Sequence, residues 1–159
     1  MSIESHTFLE DIDFFLFSLT IFKKETSFST KEKSMKTVGY LEGTDPLFLT
    51  RLTLDGIFTF PLSNGLDNHG KYLGLINQQD NIDVIVGFLH KLMICHSSEQ
   101  CNKDLFYPCE LHRIPIVAVV PKGREVEGKK LLESAFSGKF LCVSPDHLWQ
   151  TVVDLLNGK

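Results

Sequence analysis

The sequence predicts an α/β domain: a three-layer α/β/α sandwich around a mainly parallel, five-stranded sheet. Three observations carry that expectation. The two strongest strand-like runs, residues 82–89 and 114–120, are near-continuous Ile and Val rather than alternating, which marks strands covered on both faces. The 24 residues between them have room for a loop and a helix, so the pair reads as a βαβ unit. Strand-like and helix-like segments then alternate from residue 37 to the last residues. At 159 residues the chain suits one domain with a complete core, here residues 37–159, preceded by an extension over residues 1–36.

Within the extension, SHTFLEDIDFFLFSLTIFKK allows an amphipathic helix from about Ser5 or a strand at 14–22. The polar stretch after it, ETSFSTKEKSMK, reads as a connection. The first strand is Thr37–Leu41. Asp45 is a good N-cap and Pro46 a good first helical residue, so a helix is expected over Pro46–Leu54, with Gly56 beyond its end. A second strand at 57–60 leads into the polar loop 61–70, and a helix is expected at 68–79. After the central βαβ unit come a helix at 125–136, a fifth strand at 139–143 and a last helix at 146–157. The third strand is among the most apolar, which points to the flavodoxin-like strand order 2-1-3-4-5.

Apolar residues at 43% and charged residues at 23% describe an ordinary soluble globular chain. The net charge of -4 argues against nucleic acid and against an anionic membrane surface as partners. No apolar run approaches the ~20 residues of a membrane helix. Acidic residues precede the apolar stretch 14–22 where a signal peptide would be positive. Four cysteines without a secretory signal point to free thiols in a reducing, cytoplasmic setting. The run Cys95, His96, Cys101, Cys109, His112 has no paired CxxC spacing, so no metal is expected, and no cofactor either.

Open α/β sheets bind ligands beside the carboxyl ends of their strands. The loops there carry Gly43, Thr44 and Asp45 after the first strand and Asn64, His69 and Lys71 after the second. His90 follows the third strand and Lys122 the fourth. Helix N-termini with glycine, hydroxyl and lysine neighbours suit a small nucleotide or phosphorylated ligand. Neither GxGxxG nor GxxxxGK[ST] is present. His90, at a strand end, stands where a general base would.

Four segments together resemble a diverged TIR-like domain. GYLEGTD is similar to that family's SFxGxD-like loop, and Gly56-Ile57-Phe58-Thr59-Phe60 to its Gly-Ile-x-x-Phe strand. Ser98 to Leu105 follows the spacing of S-x-W-C-x-x-E-L, with Gln100 in place of the Trp. Ile114-Pro115-Ile116 matches the next strand, so the likeness spans residues 37–121. The resemblance implies a domain that binds or cleaves NAD-type or nucleoside ligands. Asp104 would take the place of the glutamate of NAD-cleaving members, with His90 assisting and Gly43, Thr44 and Lys122 holding phosphate. GYLEG also resembles the opening strand of nucleoside 2-deoxyribosyltransferases. GKYLGLINQQDNIDVIVGF resembles methylglyoxal synthase, whose phosphate loop would map to Gly43-Thr44-Asp45 while its catalytic aspartate would fall at Gly70. Two alternatives to the TIR-like reading are a non-catalytic interaction or sensory module, self-associating as a homo-oligomer, and a phosphate-ester-binding domain.

Overall fold

The computed structural model describes residues 35–93 and 99–158, with backbone alone at 99–101. The helix or strand expected before residue 35 lies outside the described residues, as do Cys95 and His96. The elements in chain order are β1 (Thr37–Leu41), α1 (Pro46–Leu54), β2 (Phe58–Ser63), β3 (Lys71–Tyr72) and β4 (Val84–Phe88). There follow α2 (Leu89–Leu92), α3 (Glu99–Leu111), β5 (Ile116–Val119), α4 (Glu125–Ala135), β6 (Phe140–Val143) and α5 (Pro145–Leu156).

All six strands pair in parallel, in the order β3-β2-β1-β4-β5-β6. Without the two-residue β3, the other five keep the expected flavodoxin-like order. The sheet therefore has six strands, not five.

The sixth strand replaces part of the helix expected at 68–79. Lys71 and Tyr72 pair with Leu62 and Ser63 of β2. A β-carbon at Gly70 would lie 2.2 Å from the Pro61 carbonyl oxygen, so the backbone there rests directly on β2. A helix, ~10 Å across with its side chains, would be held off at that distance. Two 3-10 turns follow, Leu73–Leu75 and Gln78–Asp80. The second is closed by a local capping box. The Asn77 side chain accepts from the Gln79 amide at 2.9 Å, and Asp80 accepts from the Asn77 amide at 2.8 Å. Asn81, at φ 50°, stops the turn before it can lengthen into a helix.

Because a parallel strand is covered on both faces, successive side chains feed two cores. Val38, Val84, Val86, Val117 and Val119 meet Phe48 and Leu52 of α1 and Leu148 and Val152 of α5. Leu41, Leu62, Ile85, Ile116 and Ala118 meet Leu73, Leu105 and Phe106 of α3, and Leu132 of α4. The strict alternation within β4 and β5 explains why those runs read as unbroken apolar sequence. On the second face Phe106, Phe136 and Phe140 form a chain of rings at 5.4 and 6.1 Å.

Gly87 is required by this packing. Its β-carbon would stand 2.7 Å from Leu41 Cδ1 and 3.1 Å from Leu41 Cβ. Gly87→Ala is therefore expected to lower stability by about 1–3 kcal/mol, read as an earlier urea midpoint. An unchanged midpoint would show that Leu41 yields without cost.

Cys109 is fully buried in the same core, and burial pushes its thiol up to about 12. An unfolded thiol ionises above about 9 while the folded one keeps its proton, so rising pH favours unfolding across that window. Between pH 8 and 10 the wild type is expected to lose on the order of 1 kcal/mol more stability than Cys109→Ala, which has no proton to lose. Parallel stability curves for the two proteins would contradict this account of the thiol.

Candidate functional site

Beyond β1 the sheet continues through β2, and beyond β4 through β5, so the strand order reverses between β1 and β4. The chain leaves these two strands in diverging directions and opens a crevice at their carboxyl ends. The loop after β1 is held by its own residues. Thr44, almost fully buried, donates its hydroxyl to the Leu41 carbonyl at 2.7 Å. Asp45 Oδ1 accepts from the Leu47 amide at 3.0 Å and caps α1, and Pro46 follows as the first helical residue.

On the face covered by α1 and α5 the crevice becomes an open groove with a volume of about 230 Å³. Phe48, Leu148 and Trp149 come from the two helices, and Phe88 and Val119 from the ends of β4 and β5. Thr44, Asp45 and Arg51 supply the polar groups. Phe48 meets Trp149 edge-on, with ring centroids 6.1 Å apart. The Arg51 guanidinium lies 3.7 Å over the Trp149 ring. No carboxylate among the described residues pairs with Arg51.

A second polar cluster stands at the ends of β2 and β4. Lys91 bonds Glu42 at 2.5 Å, and that bond raises the pKa of the ammonium above its ordinary value. Asn64, buried, donates to the Lys91 carbonyl at 3.1 Å and accepts from the Leu66 amide at 2.9 Å. Ser63 donates to the Asp67 carbonyl at 2.6 Å. His69 sits edge-on to Tyr40 at 5.3 Å. Asp67 Oδ2 and His69 Nε2 are buried without a hydrogen-bond partner among the described residues.

The residues expected to form one site are thus divided. Thr44 and Asp45 stand on the groove, with Gly43 just before them at φ 87°. His90, exposed, stacks at 5.6 Å on Phe88, which also lines the groove. Asn64 and His69 belong to the second cluster. Lys71 is bound to Asp80 at 2.6 Å. Burial opposes the Asp80 charge, but Lys71 and the Asn77 amide outweigh it and hold the carboxyl below its usual range. Lys122 pairs with Asp146 at 3.4 Å, both exposed. Asp104 lies on the exposed side of α3, a helix whose buried residues Leu105, Phe106 and Cys109 pack on the face opposite the groove. Among the described residues no three His, Cys, Asp or Glu side chains are placed to hold a metal ion, and no helix is long and apolar enough to cross a membrane.

Sequence reasoning passed over Phe48, Arg51, Phe88, Leu148 and Trp149. A signal was available in part. Phe48 and Trp149 stand within the first turns of two helices that begin at the carboxyl edge, where a side chain can reach a ligand. That α1 and α5 share one face is a tertiary fact, and no local pattern carries it. Comparison of the chain with known protein families, curated proteins and solved structures gives no match.

Proposed function

We propose that this chain is a nucleotide-ligand domain, which binds, or binds and cleaves, an NAD-type or nucleoside ligand with its planar base in the groove. The observation that supports this most is the aromatic lining, Phe48, Phe88 and Trp149, placed beside the switch point of a parallel sheet. Aromatic faces and edges favour a flat ring over an aliphatic chain of equal area. At about 230 Å³ the groove is smaller than the roughly 300–1,000 Å³ usual for drug-sized ligands, so it suits the planar base of a ligand with the rest of the molecule on its rim. Asp45 spends Oδ1 on the α1 cap, and its Oδ2 remains to accept from a ribose hydroxyl. That carboxylate also sets a negative charge at the α1 N-terminus, the place a phosphate would otherwise occupy. The base-and-ribose end of the ligand suits this rim better than its phosphate. Binding is favoured over cleavage, because Asp104 is carried by a helix of the other face.

Trp149 is the chain's sole tryptophan, so its emission reports on the groove without labelling. Titration with adenosine and with NAD is expected to quench it saturably. Phe48→Ala is expected to weaken binding roughly tenfold, in line with stacking worth about 1–3 kcal/mol per base. Chromatography of the NAD mixture would show free nicotinamide if the ligand is cleaved. A Trp149 signal that does not respond to either compound, with no heat of binding, would sink the proposal.

A further inference from the structure

We infer that Arg51 makes the groove selective for ligands that carry a negative group beside their planar ring, a nucleoside monophosphate over the free nucleoside. The inference rests on the nucleotide-ligand reading and specifies which ligand the groove prefers. Three other cations near the carboxyl edge each have a carboxylate partner: Lys91 has Glu42, Lys122 has Asp146 and Arg124 has Glu127. Arg51 has no such carboxylate among the described residues. What holds it is the face of Trp149 at 3.7 Å. A guanidinium over a ring keeps its N–H donors in its own plane, directed past the ring, where they can take two oxygens of a phosphate as a fork.

The groove therefore has opposite charges on its two polar rims. Asp45 precedes the first residue of α1, and Arg51 lies six positions further on, about 9 Å along a helix axis. A ligand with a ribose and a phosphate has one partner for each. Reversed, it would set phosphate against carboxylate. The same residues thus set both preference and direction, with Trp149 holding the guanidinium in place.

The test is a set of titrations of the full chain with adenosine and adenosine monophosphate, followed by Trp149 emission and by calorimetry, at low and at physiological salt. The wild type is expected to bind the monophosphate at least tenfold more tightly, with the advantage shrinking as salt rises. In Arg51→Met the ratio of the two affinities is expected to fall to about one. In Arg51→Lys, which keeps the charge but not the fork, an intermediate ratio is expected. Thermal unfolding of each variant establishes that it is folded. Equal affinity in the wild type, or a preference that survives Arg51→Met, would overturn the role of Arg51 while leaving the groove a nucleoside site. Failure of both compounds to bind the wild type would overturn the groove reading, and the selectivity with it.

Discussion

The structure depends on the pairing of β1 with β4, in which Val38, Gly39 and Tyr40 stand beside Val84, Ile85 and Val86. Every other pairing extends outward from this one. Asp83 fixes its amino-terminal end, accepting from the Thr37 amide at 2.8 Å and from Lys36 at 3.1 Å. Two glycines make the packing over it dense. At Gly39 a β-carbon would stand 2.7 Å from Leu62, and at Gly87 the same distance from Leu41, so strand backbone and neighbouring side chains meet directly. At the other end of the pair the connections diverge. β1 feeds α1 on one face, while β4 feeds α2 and then α3, which covers the other.

This divergence places the groove and decides its character. The helices that flank it, α1 and α5, both begin at the carboxyl edge, and each brings an aromatic residue there within its first turns. Beneath them the strands end in Phe88 and Val119, so the groove has an apolar base and polar rims. The β2 side has the reverse chemistry. Ser63 and Asn64 are buried and satisfied by backbone groups, and Lys91 is bound to Glu42. That cluster ties the β2 loop to the turn after β4 and gives the neighbouring groove a firm edge.

Much of this was legible in the sequence, for physical reasons that can be named. β4 and β5 announced themselves because a doubly covered strand leaves no polar position. α1 did so because Asp45 and Pro46 are a cap and a first-turn residue in any context. The stretch around Gly70 was not legible. What decides it is the approach of backbone to the Pro61 carbonyl, together with a capping box that closes after one turn. Thr44 and Asp45 could be placed at the carboxyl edge by strand ends alone. Phe48, Arg51 and Trp149 could not, since two helices about a hundred residues apart meet only in three dimensions. Asp104 entered by resemblance to a motif, and α3 carries it on the layer away from the groove.

The claim on which the rest stands is that ligand enters between α1 and α5. Nitrogen-15 amide spectra recorded while a nucleoside monophosphate is added test it most directly. Shifts are expected at Leu47, Phe48, Arg51, Phe88, Val119 and the Trp149 indole, with little change at Asp67, His69 and Lys91. Shifts gathered instead around Asp67, His69 and Lys91, or a spectrum that does not move, would contradict it.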